Sequence, residues 1–177
     1  MRTSWRATQI GLTMLCFSLM LGVSYARNPA PAKEPRIVQF ARPGSPEATV
    51  QAALVAALEP DESKGFEAYL ALVHPSRKGV RRGKKKRAGA RSTGKSKAVE
   101  LIRRYSWKRF KSHAKDYVLP ESTGGFTLVR MDPPTPLPTT RRVRIFLAPL
   151  NSSRRTMPTP IRLERSGEKW LITANSL

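Results

Sequence analysis

Acidic side chains are scarce in this chain: 12 Asp and Glu stand against 33 Lys and Arg, a formal net charge of +21 over 177 residues. That imbalance makes a surface whose field draws polyanions, with no special geometry required. Cysteine is nearly absent. The single residue, Cys16, lies inside an N-terminal apolar stretch expected to be removed, and the remaining chain then has none. A disulfide, a thiol nucleophile and a Cys-based metal site are excluded there. Only two histidines occur and the carboxylates are scattered singly, so no metal constellation and no cofactor is expected. No internal repeat is found. The length suits one ordinary domain with appendages. A 40% hydrophobic content is enough for a core, while 15 prolines and 11 glycines place part of the chain outside it.

A long apolar run is also missing. Arg2 and Arg6 precede apolar residues 10–23, and Ser24-Tyr25-Ala26 follows with small residues at the two positions a signal peptidase reads. The run is shorter than the ~20 residues a spanning helix needs. Residues 1–26 are therefore expected to be a signal peptide cleaved before Arg27. Leu15 ahead of Cys16 is not the small residue of a lipoprotein signal. The expected location is exported: periplasmic or associated with the cell envelope.

Two further stretches read as irregular. Residues 27–46 hold five prolines and suit an extended tether. Residues 76–96 hold ten basic residues, no acid and only Val80 as a sizeable apolar side chain. Such a run repels itself and buries too little to offset ordering, so a mobile, disordered basic insert is expected. With Lys97 it carries eleven cations, more than half of the net charge left after the leader is removed. The folded domain is then 47–177, interrupted by this insert.

Between these stretches the hydrophobic period separates helices from strands. Ser45-Pro46-Glu47 supplies a capping hydroxyl, a proline at the first helical position and an acid near the positive helix end. Val50, Ala53, Leu54, Ala57 and Leu58 follow on one face. Phe66, Tyr69, Leu70 and Val73 form a second stripe, stopped by Pro75; His74 before it reads as a cation at the helix end. A third helix is expected from Lys97 to Ala114. At 100° per residue it places Ile102, Tyr105, Ser106, Phe110 and His113 on one side, and Arg104, Lys108, Lys111 and Lys115 on the other. After Pro120 the period becomes two. Strands are expected at 126–131, 141–147, 161–164 and 169–174, with a tight turn at Ser166-Gly167 or Gly167-Glu168 and a proline-rich loop at 132–138. Helices followed by strands predict an α+β fold: three N-terminal helices on one face of a curved antiparallel sheet of about four strands.

The exported leader, the capped SPEATVQAALVAAL helix, the FEAYLALVHP helix and the terminal SGEKWLI hairpin strand together resemble the nuclear transport factor 2-like (SnoaL-like) superfamily. Its small secreted or lipid-anchored bacterial members are the ones these features resemble. The resemblance covers residues 45–177 apart from the basic insert, which departs from the pattern, as does the proline-rich strand connection. It implies a cone of curved sheet closed by helices, with a pocket used for catalysis in some members and for binding or assembly in many. Enzymes of that superfamily place a His–Asp or Tyr–Asp pair in the cone. The residues here that could fill those roles are His113, Asp116, Tyr69 and Tyr105. A histidine beside a carboxylate can act as a general base near neutral pH. The more common arrangement is a histidine at the core edge bonded to backbone.

Two other motifs carry chemistry. Residues 89–96, GARSTGKS, match the phosphate-loop pattern GxxxxGK[ST]. The buried strand that should precede the first glycine is replaced by GVRRGKKKRA, and no second motif follows, so the match is read as accidental. Residues 105–117 interleave Tyr105, Trp107, Phe110 and Tyr117 with cations, a pattern that can grip phosphates while an aromatic stacks. The plainer reading puts Tyr105 and Phe110 in the core and Trp107 at its boundary. Asn151-Ser152-Ser153 matches a glycosylation sequon.

The expectation is a non-catalytic exported ligand-binding or assembly module whose basic loop associates with anionic surfaces. Its anion-binding candidates are Arg81, Arg82, Lys84, Lys85, Lys86, Arg87, Arg91, Lys95, Arg104, Lys108, Lys111 and Lys115. The expected partners are an anionic polymer or membrane surface, a small apolar ligand in the cone, and a second copy paired through the sheet. The alternatives are a SnoaL-type small-molecule enzyme with a His/Tyr–carboxylate pair, and a general binder of nucleic acid or cell-wall polymer.

Overall fold

Ser45 starts the first helix as its sequence requires. Its hydroxyl accepts a hydrogen bond from the Ala48 amide at 3.2 Å, with Pro46 in the first helical position. These contacts come from a computed structural model that describes residues 34–79, 92–150 and 157–177, with side chains described from 97 onward in the second stretch. Helix α1 (Pro46–Leu58) buries Val50, Ala53, Leu54 and Ala57, while Leu58 at its last position is exposed. Asp61 caps α2 (Glu62–Leu72) by accepting from the Ser63 and Lys64 amides. The two helices approach closely at Gly65, where a Cβ would lie 2.5 Å from the Ala56 carbonyl oxygen. A side chain there would force the helices apart.

The third helix is composite. It begins at Ser92, earlier than the sequence suggests, as α3 (Ser92–Leu101), passes through a π-helical segment (Ile102–Trp107) and continues as α4 (Lys108–Ala114). The Lys108 amide bonds to the Arg103 carbonyl, a five-residue step. That extra residue in one turn rotates everything after it relative to a 100° count. The buried series therefore runs Ile102, Trp107, Phe110, Ala114. Tyr105, expected in the core, is 61% exposed, and Trp107, expected at the boundary, is fully buried.

The sheet has five strands in the order β1-β2-β3-β4-β5, every neighbouring pair antiparallel. They are β1 (Arg36–Val38), β2 (Phe126–Asp132), β3 (Arg142–Ala148), β4 (Thr159–Ser166) and β5 (Lys169–Asn175). The α+β class holds, with two differences of detail. Among the described residues five strands stand where about four were expected, and one of them precedes the helices. The extra strand lies inside the proline-rich stretch expected to be a tether, with Val38 buried opposite Phe126. Three residues flanked by prolines are too short to show a period of two. The β4–β5 turn is Gly167-Glu168, with Gly167 at φ 63°, as a two-residue hairpin needs at that position.

One face of the sheet packs under the helices. Phe126, Leu128, Val143, Ile145, Leu147, Ile161, Leu163, Trp170 and Ile172 point there, each at most 6% exposed. Polar contacts also tie the layers together, among them Thr49 donating to the Trp170 carbonyl at 3.0 Å and the Tyr117 and Thr159 hydroxyls pairing at 2.6 Å. Hydrogen bonds made in this way offset the desolvation of the buried polar groups. At the exit of α2, the His74 amide bonds to the Ile172 carbonyl. The His74 ring meets the Ser76 hydroxyl at 2.7 Å instead of capping the helix.

Residues 1–33, 80–91 and 151–156, and with them the expected signal peptide, most of the basic insert and the sequon, lie outside the described residues. At the margins of the insert, residues 75–79 form turns and 92–96 are helical.

Candidate functional site

The acid–base candidates come apart in the fold. His113 and Asp116 are one turn apart at the end of α4, with Nδ1 and Oδ2 3.8 Å apart. Both side chains are more than a third exposed. Tyr69 is buried under the helices between Trp107 and Phe110, with ring centroids 5.1 and 5.2 Å away. Its hydroxyl accepts a hydrogen bond from the Asn175 amide. Burial pushes the Tyr69 phenol up to about 12, only partly opposed by the Arg77 charge and the Asn175 bond. A phenol so placed keeps its proton at neutral pH and cannot serve as a base. Tyr105 faces solvent. Among the described residues no hydrogen bond or ion pair joins Tyr69 or Tyr105 to His113 or Asp116. Neither of two surface depressions, about 790 and 520 Å³, is lined by any of the four.

The cationic row of the third helix is also broken up. Arg104 stacks on the exposed Tyr105 ring at 5.6 Å. The Lys111 ammonium turns inward, donating to the Glu59 carbonyl at 3.2 Å at the end of α1 and lying 5.8 Å from the Trp107 ring. This lysine caps a helix terminus, a role that consumes its charge locally. Lys108 and Lys115 remain exposed. The other anion-binding candidates, Arg81, Arg82, Lys84, Lys85, Lys86, Arg87 and Arg91, and the side chain of Lys95, lie outside the described residues. The helix that follows the phosphate-loop match starts at Ser92, two residues ahead of Gly94-Lys95.

Arg77, counted within the basic insert, is instead attached to the sheet. Its guanidinium donates to the Thr173 carbonyl at 2.8 Å. Lys78 beside it is partly covered, and burial lowers its pKa. Among the described residues no group of three or more metal-ligating side chains gathers, and no helix is long and apolar enough to cross a membrane.

The feature that sequence reasoning missed is on the sheet. The face turned away from the helices carries Arg130, Arg142, Arg144 and Arg162, all exposed. Arg144 lies directly opposite Arg162, and Arg130 directly opposite Phe146. The Arg130 guanidinium sits 4.2 Å from the Phe146 ring centre, a cation–π stack. The signal was present in the alternation of RVRIFLA and IRLERS. Each strand alone reads as an ordinary solvated half, and only pairing brings the arginines side by side. Comparisons of the chain with protein-family models, with curated proteins and with solved structures found no match.

Proposed function

We propose that this chain is exported and that its domain is a non-catalytic binding or assembly module of the nuclear transport factor 2-like type, associating with anionic polymers or surfaces. The observation that carries this reading is the charge: 33 cations against 12 acids, with eleven cations and no acid between residues 77 and 97. Helices packed on one face of an antiparallel sheet are compatible with that superfamily. The pair of His113 and Asp116, lying on the surface outside both depressions, lends little support to the enzyme alternative.

The decisive test removes charge without touching the packed residues. Residues 77–79 and 92–97 belong to described turns and helix, so the replacement is confined to 80–91, which carries seven cations. A Gly/Ser linker of equal length should leave the melting temperature nearly unchanged, since loop-closure entropy depends only weakly on sequence at fixed length. Binding to heparin should weaken strongly, and its salt dependence should flatten as fewer counterions are released. Unchanged heparin affinity and salt slope would remove the insert from the binding function.

A further inference from the structure

We infer that the open face of the sheet is a binding surface for single-stranded nucleic acid, with Arg144 and Arg162 as its phosphate contacts and the stack of Arg130 on Phe146 as its platform for a base. The inference rests on the polyanion-binding reading above and assigns a second site to it, separate from the insert.

Neighbouring strands are about 4.8 Å apart and residues two apart on one strand about 7 Å. Arg144 opposite Arg162, with Arg130 one diagonal step away, therefore places three guanidinium groups within the span of a few nucleotides. Each guanidinium is a planar fork that matches a phosphate through two parallel hydrogen bonds. Among the described residues these three make no ion pair or hydrogen bond through their guanidinium groups, so their donors face solvent. Arg142 differs, because its Nε lies 3.5 Å from the Glu164 carboxylate. Asp132, opposite Arg144, is the one further acid on this part of the face, and three arginines outweigh it.

The shape fits a narrow chain. A depression of about 520 Å³ runs along this face, lined by Arg142, Arg144, Arg162, Glu164 and Thr173 among others. That volume is in the range that takes a small-molecule ligand, and hence a short stretch of single strand. Two bulges, at Val129 on β2 and at Thr173 on β5, interrupt the pairing on either side of the arginines. Bulges increase local twist and re-aim neighbouring side chains. Beside the depression, the stack of Arg130 on Phe146 offers a flat surface on which a base can rest.

Other occupants fit less well. The apolar side chains of this region, Phe146, Pro160 and Leu171, are half-buried and present little for insertion into lipid. A second copy docked face to face would set arginine against arginine, which costs affinity.

The test uses the full chain and a fluorescein-labelled oligothymidylate of about twelve nucleotides, a length within the usual footprint of single-strand binders. Anisotropy is followed across a salt series. The double variant Arg144→Gln/Arg162→Gln should lose at least about tenfold in affinity at low salt, and its salt slope should flatten by about 1.4, the value for two single-strand phosphate contacts. Arg144→Lys/Arg162→Lys should keep the slope but bind several-fold more weakly, because an ammonium lacks the fork. Phe146→Leu should weaken binding several-fold with the slope unchanged. Should the double variant fail to fold, Arg144→Gln and Arg162→Gln alone should each flatten the slope by about 0.7.

Wild-type affinity and slope in the glutamine variants would overturn the inference. If replacement of 80–91 also abolished binding, the function proposed above would stand on the insert alone. Heparin binding by a wild-type chain that ignores the oligonucleotide would overturn the inference as well. So would a glutamine effect confined to phosphatidylglycerol vesicles, or a dimer that dissociates in the glutamine variant. A wild-type chain that binds neither oligonucleotide nor heparin would bring down the proposed function itself.

Discussion

On the helix side of the sheet, β3 presents Val143, Ile145 and Leu147, each at most 1% exposed; on the other side the same strand presents Arg142, Arg144 and Phe146, none of them buried. One face is a dry interior layer, packed under the helices and tied to the helical layer through Thr49 of α1 and Tyr117 just beyond α4. The other holds a basic surface on which Arg130 stacks on Phe146. Adjacent residues of one strand thus answer to different demands. The inner set must fill volume and keep its polar atoms paired. The outer set carries no such demand: Arg142 meets Glu164, Phe146 carries the Arg130 guanidinium, and Arg144 makes no ion pair among the described residues.

The largest expected difference is between neighbours in sequence. Ile145→Ala should cost about 2–5 kcal/mol in urea unfolding, since it opens a cavity in the fully buried layer. A loss below about 1 kcal/mol would show that the helix-side layer is looser than its burial indicates.

The dryness of that layer can be read from pH. A tyrosine in the unfolded chain ionises near its ordinary value of 10.0, whereas Tyr69 in the fold holds its proton to about 12. Between those values the unfolded state binds fewer protons than the native state. The stabilising contribution is therefore complete below about pH 10 and is lost as pH rises toward 12. Its size is on the order of 2 kcal/mol. Unfolding free energy should fall more steeply between about pH 10 and about pH 12 in the wild type than in Tyr69→Phe. Equal slopes would mean that water reaches the phenol.

The smallest expected effect sharpens the comparison from the outside. Arg144→Ala should change stability by no more than about 0.5 kcal/mol, because its guanidinium is exposed and makes no ion pair among the described residues. A loss well beyond that would mean that the open face is structural, held by contacts of the arginines.

The helical part was legible in the sequence where local rules decide it. Ser45 and Pro46 are capping signals that need no tertiary partner, and the helix start they predict is observed. The strand positions of β2 to β5 followed from alternation for the same reason. The third helix was misread in its middle because a π turn leaves no local mark. The sequence around Ile102 is compatible with either winding, and burying Trp107 between Phe66 and Tyr69 favours the wider one. With it went the placement of Tyr105 and the even row of cations. Lys111 turned inward because the end of α1 lies beside it, which no count along α4 can reveal.

The sequence by itself determined the cap of the first helix, the period of the first two helices and of β2 to β5, the α+β class and the charge excess, because each depends on residues close together in the chain or on composition. Tertiary structure alone decided that residues 36–38 form an edge strand, that Tyr69 and Asn175 meet, and that Arg144 faces Arg162. Those outcomes depend on pairing between segments far apart in the chain. Register, once set by the buried side of each strand, carries the exposed side with it.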